Sequence, residues 1–129
     1  MAAHLFWAAW LYALLTVLRA PAVWGLGAST AIARTASRYE PRVSANLSNQ
    51  FEWPLFFHVV CLVLMAQNDG QTGIVIGLAW VFVAGRILHS VVQVLTGNVR
   101  LRGLVFMINF LAVLGLWIVA LQEAFVATA

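Results

Sequence analysis

LVFMINFLAVLGLWIVAL, residues 104–121, runs for eighteen residues without a charge. A helix needs about 20 apolar residues to cross the hydrocarbon core of a bilayer, so this stretch reads as a membrane span. Three further apolar runs precede it: Leu5–Trp24, Phe51–Ala66 and Ile74–Leu95. Four spans joined by short connections use nearly all of the 129 residues. The expected architecture is therefore one all-α domain, residues 1–129, folded as an integral-membrane four-helix bundle with no separate soluble domain.

Composition points the same way. The chain is 64% hydrophobic and 9% charged, with a mean hydropathy of +0.95. A soluble domain carries about 25% charged residues, so a soluble globule, a disordered chain and a coiled coil are all excluded. A net charge of +3 would suit a nucleic-acid partner, but all seven basic residues are Arg, they are spread thinly, and no nucleic-acid motif accompanies them. No nucleic-acid partner is expected. Cys61 lies alone inside an apolar run, has no intrachain disulfide partner and reads as packing. No basic segment precedes the first span, and that span exceeds the ~7–15 residues of a signal-peptide core, so cleavage is not expected.

The arginines orient the bundle. Gly27–Glu40 reads as an Arg-bearing loop of small residues, Gln67–Thr72 as a tight polar turn around Asp69, and Thr96–Arg102 as a second turn. Arg19, Arg34, Arg38, Arg42, Arg100 and Arg102 all fall on the side of the first and third connections, and no Lys or Arg falls near the other face. That asymmetry places these loops in the cytoplasm and both termini opposite, as expected for a multi-pass membrane protein. Trp7, Trp10 and Trp24 suit an interfacial aromatic belt, and His4 is expected to be solvated near the outer end.

Polar residues inside spans are the informative ones, because a bilayer disfavours them. Starting a helix at Pro41 puts Arg42, Asn46, Asn49, Trp53 and Phe56 on one face, with Glu52 three residues after Asn49. Pro54 removes the helical donor of the Gln50 carbonyl and should bend the helix there. On the third span, Arg86, His89, Ser90 and Gln93 form a second narrow stripe. Arg86 lies about 16 Å from the cytoplasmic turn at 1.5 Å per residue and needs a partner. Glu52 is the carboxylate at matching depth, so a Glu52–Arg86 pair is expected, within a chain or across a subunit contact. His58 and His89 lie at comparable depth and raise bis-His haem ligation, which nothing else supports. No P-loop, CxxC, HExxH or GxSxG is present, and no metal site is expected.

The stretch Arg42–Phe57 (RVSANLSNQFEWPLFF) resembles the helix-two signature of the MAPEG family, the membrane-associated proteins in eicosanoid and glutathione metabolism: an Arg, then Asn-x-x-Glu, then Pro and apolar residues. GRILHSVVQ, residues 85–93, resembles the family's helix-three Arg-x-x-His/Tyr segment, and VRLRGLVF, residues 99–106, its entrance to helix four. The resemblance covers essentially the whole chain and is greatest to the small bacterial members. It implies a homotrimer with three sites between subunits, where glutathione is the cosubstrate and a lipophilic electrophile arrives from the membrane lipids. Carried over by position, Arg42, Asn49, Glu52, Arg86 and His89 would bind glutathione, and a helix-four Arg would stabilise its thiolate. Arg102 keeps the spacing from Arg86 of the prostaglandin E synthase branch, whereas Arg100 suits the leukotriene-C synthase branch. Arg102 is favoured, since Arg100 reads as a topology charge.

Two departures stand out. Ala45 occupies the place of a second Arg just before Asn-x-x-Glu, and no Tyr stands near Gln93. The resemblance thus implies a glutathione-dependent transferase or peroxidase. The alternatives are a non-catalytic scaffold or lipid-binding trimer of the same fold and, third, a small proton-coupled transporter.

Overall fold

The computed structural model describes residues 1–25, 30–67 and 72–128. Five helical segments follow in order: α1 (Ala2–Trp24), α2 (Thr30–Asn49), α3 (Trp53–Ala66), α4 (Gly73–Leu95) and α5 (Val99–Thr128), with no strand among the described residues. They supply four stretches long and apolar enough to cross a membrane, Ala2–Trp24, Ala31–Ala66, Gly73–Leu95 and Val99–Val126. α2 and α3 together make the second, with a break between them. The turn expected around Asp69 lies outside the described residues.

The break has a local cause. Pro54 sits in the first turn of α3, where its missing N–H costs nothing, but a continuous helix through it would leave the Gln50 carbonyl without a donor. The chain tightens instead: the Gln50 and Phe51 amides reach back three residues to the Leu47 and Ser48 carbonyls at 2.9 and 3.0 Å. α3 then restarts behind Glu52.

The second helix starts earlier than its sequence suggests. Most of the Gly27–Glu40 stretch, expected as a loop, is helical from Thr30, and Pro41 lies inside α2 instead of in its first turn. Alanine, Arg, Tyr and Glu in TAIARTASRYE are adequate helix formers, and a packing partner decides the outcome. That partner is α1. Arg19 Nε donates to Glu40 Oε1 at 2.8 Å, and Leu11 and Leu15 pack on Val43 and Leu47.

α1 is displaced along the bundle. Its His4 ring lies 5.5 Å from Phe82 in the middle of α4, and Trp7 bonds Ser90. From Ser90 the α4 helix has one more turn and a half, whereas from Trp7 α1 runs on to Trp24. The α1–α2 hairpin consequently projects roughly 18 Å past the α4–α5 turn at 1.5 Å per residue. This register also corrects two expectations. His4 is 2% exposed, not solvated, and Trp7 donates into the bundle instead of marking an interface.

α3, α4 and α5 close around Phe57, Val60, Leu64, Phe82, Val113 and Leu116, with Phe57 stacked on Phe82 at 4.0 Å. Gly85 lets Asn109 approach the α4 backbone, and Gly115 meets Leu78, so α4 and α5 run antiparallel in close contact. Close approach at small residues is how helices associate in lipid, where apolar burial alone gives no drive.

A polar network and an open crevice

The break in helix two is held by the two polar stripes. Arg86, 1% exposed, donates from Nη2 to the Asn49 carbonyl at 2.7 Å and from Nε to Gln50 Oε1 at 3.2 Å. In an unbroken helix the Asn49 carbonyl would accept from the Trp53 amide, so Arg86 replaces a lost backbone donor. Gln50 is the hub of the network. Its Oε1 also accepts from His4 Nε2 at 3.0 Å, and its Nε2 donates to Asn46 Oδ1 and Ser90 Oγ. Ser90 accepts from Trp7 Nε1 as well and donates to the Arg86 carbonyl, which fills its hydrogen-bonding capacity. Since Gln50 Oε1 only accepts, His4 carries its proton on Nε2. In the neutral pair His58 Nε2 then donates to His4 Nδ1, at 3.1 Å.

Within the chain no Glu52–Arg86 ion pair forms. Glu52 is exposed, and the ion pair found among the described residues is Arg19–Glu40. The non-helical turn at Gln50–Glu52 takes Glu52 out of phase with the stripe, and the neutral amide of Gln50 meets Arg86 instead.

Below the break a crevice opens between α2, α4 and the start of α5. Asn46 and Asn49 both donate to Gln93 Oε1, at 2.9 and 3.2 Å, and Arg42 Nη1 donates to the Val94 carbonyl at 3.1 Å. These bonds hold α2 and α4 apart at a fixed spacing. One hollow of about 450 Å³ is lined by Ala45, Asn49, His89, Gln93, Arg102 and Phe106. A second, of about 300 Å³, shares Ala45, Gln93 and Arg102 with it and adds Arg42. The Arg102 guanidinium makes no bond to any described residue, and Arg100 lines neither hollow. Of the six residues carried over, Arg42, Asn49, His89 and Arg102 line the joined crevice, while Arg86 is engaged in the break and Glu52 lies elsewhere.

Two other hollows are larger: one of about 490 Å³ at Met1, Cys61 and Val75 is apolar, and one of about 740 Å³ between α1 and α2 carries the Arg19–Glu40 ion pair. The crevice differs from both in that its described lining brings cations and amides together with no carboxylate among them. Such a lining suits a small anion-bearing ligand. No group of three or more His, Cys, Asp or Glu side chains comes together among the described residues.

The sequence reading missed Gln50 and Asn109. Gln50 sits four residues after Asn46, one helical turn on, and that spacing marked it as a possible partner. Asn109 is the single amide in the eighteen-residue run that defines span four, which was signal enough. It is fully buried, and neither amide atom has a partner among the described residues.

No curated protein and no solved structure gives a significant match to the chain. The sequence model of the MAPEG family does, over residues 1–122, and with the four membrane-crossing stretches this establishes that the chain is a member of the MAPEG family.

Proposed function

We propose that this chain is a membrane-embedded, glutathione-dependent transferase or peroxidase acting on a lipophilic electrophile. Arg102 carries the reading, because it is a guanidinium bonded to none of the described residues, at the rim of a crevice that also holds Asn49, His89 and Arg42. The donor set fits glutathione, whose two carboxylates and thiolate are anionic. The thiolate is the nucleophile, and a guanidinium beside it favours that form over the thiol. Each tenfold gain in thiolate corresponds to ~1.4 kcal/mol. In a conjugation the sulfur lone pair forms the new C–S bond, the leaving group departs with its bonding pair, and the thiol proton goes to water.

The remaining parts follow the family. Three chains would form a homotrimer with the crevice open towards a neighbour. The electrophile would enter from the membrane lipids, and the Arg-bearing ends of the bundle would face the cytoplasm of a bacterial inner membrane. The exposed position of Glu52 leaves it free to meet a neighbouring subunit.

The test uses the detergent-purified assembly. Glutathione at a hundredfold excess over its dissociation constant should stabilise the fold by about 2.7 kcal/mol. A thermal shift with conjugation of an aromatic halide supports the enzyme. No shift at millimolar glutathione overturns it and leaves the non-catalytic scaffold, a reading that Ala45 in the crevice wall favours.

A further inference from the structure

Two buried polar groups without partners share the α4–α5 seam. His89 Nδ1 and both amide atoms of Asn109 make no hydrogen bond, although the residues are 4% and 0% exposed. Gly85 faces Asn109, and one turn along each helix the His89 ring lies 6.4 Å from Phe106. Helical side chains lean towards the N-terminus of their own helix. Because α4 and α5 run in opposite directions, His89 leans towards the level of Asn109, and Asn109 leans towards the level of His89.

The two groups are also complementary. Asn109 turns its Oδ1 against Gly85, and its Nδ2 lies further off, at 3.5 Å from where a Gly85 Cβ would stand. Nδ2 is therefore the end that needs an acceptor, and the unprotonated Nδ1 of a neutral imidazole is one. Among the described residues, the one buried acceptor without a partner outside these two side chains, Gln67 Oε1, belongs to the far end of α3. Of the two His89 nitrogens Nδ1 is the one closed off, which leaves Nε2 on the crevice side.

We propose that Asn109 is a positioning residue for His89: its Nδ2 donates through one bridging water to His89 Nδ1 and fixes the neutral ring with Nε2–H towards the crevice. The inference rests on the reading of the crevice as an anion site. It gives that site a neutral donor beside Arg102, Arg42 and Asn49 without adding a further charge. An amide is required here, because an Asp could accept but not donate and would force the proton onto Nδ1.

The experiment is nitrogen NMR on the detergent-purified assembly labelled with ¹⁵N-histidine, with His89→Gln assigning the ring. The wild type should show Nε2–H with a hydrogen-bonded Nδ1. Asn109→Asp should move the proton to Nδ1, and Asn109→Leu should abolish the Nδ1 hydrogen-bond shift. Asn109→Leu should also weaken glutathione about tenfold, the loss of one well-placed donor. If the Asp variant fails to fold, Gly85→Ala serves, since its methyl group displaces Asn109 Oδ1 and should disturb the same ring signals. A wild-type ring protonated on Nδ1, or ring signals indifferent to both Asn109→Leu and Gly85→Ala, overturns the assignment. Ring signals as expected, in a protein that glutathione does not stabilise, support the pair and overturn only the glutathione reading.

Discussion

The Nη2 of Arg86 lies 2.7 Å from the carbonyl oxygen of Asn49, at the point where the second membrane helix is broken. A carbonyl without a donor is costly at this depth, and a guanidinium supplies the hydrogen that the backbone has lost. The same residue bonds Gln50 and so ties the break to His4, Ser90 and Asn46. The helix-three arginine is thus a structural tie in this chain, and the crevice it flanks is lined by other residues.

Replacing Arg86 should destabilise the fold, with little effect from its expected partner. Arg86→Leu leaves the Asn49 carbonyl and Gln50 Oε1 without their charged donor, a loss of about 3 kcal/mol or more. Arg86→Lys should recover only part, since a single ammonium cannot reproduce the two-pronged contact. Glu52→Gln should stay within about 0.5 kcal/mol in the dissociated chain, because Glu52 is exposed and makes no ion pair there. Thermal unfolding followed by tryptophan fluorescence measures all three. A large loss in the Glu52 variant of the intact assembly, absent from the dissociated chain, would place its partner across a subunit contact.

Gln50→Leu should be about as damaging as Arg86→Leu, although no charge is removed. It strips an acceptor from both Arg86 and His4 and a donor from Asn46 and Ser90. Each buried group so orphaned costs about 1–3 kcal/mol. Gln50→Glu keeps the acceptor and loses the donors, so its melting temperature should fall between those of the wild type and the Leu variant. Equal stability of all three proteins would show that the network contributes nothing.

What the sequence disclosed, and what it withheld, divides by physics. The four helical stretches long and apolar enough to cross a membrane, and the interruption at Pro54, expected as a bend and found as a break, follow from local rules of hydrophobic length and proline chemistry. The start of α2 at Thr30 was hidden, because a small-residue stretch becomes helical only through its packing on α1. The burial of His4 was hidden for a related reason: depth counted from a chain end assumes that helices start level, and α1 starts beside the middle of α4. Arg42 and Asn49, one helical face by residue count, and His89, from the other polar stripe, line a crevice with Arg102, which the resemblance singled out. Glu52 falls away because that count cannot run through a turn.

Arg102→Ala and Arg100→Ala separate the two helix-four candidates. Only Arg102 borders the crevice, so its removal should weaken glutathione binding about tenfold or more and abolish conjugation, the loss of one charge-assisted contact. Arg100→Ala should leave affinity unchanged. Isothermal titration of each purified variant decides between them, and a reversed result would move the thiolate contact to the turn.

Ala45→Arg tests whether the crevice lacks a contact that its glutathione-using relatives are expected to have. Ala45 is exposed and lines both hollows, so a longer side chain there extends into open space and not into the core. It would stand one helical turn before Asn49 and on the same face of α2, within reach of whatever Asn49 contacts. A guanidinium in that place adds a charge-assisted bond to a ligand carboxylate and should tighten glutathione about tenfold, with turnover rising less than affinity. Unchanged affinity, in a variant that still folds, would mean that the ligand's carboxylates lie elsewhere and that the thiol used by this protein is of another shape.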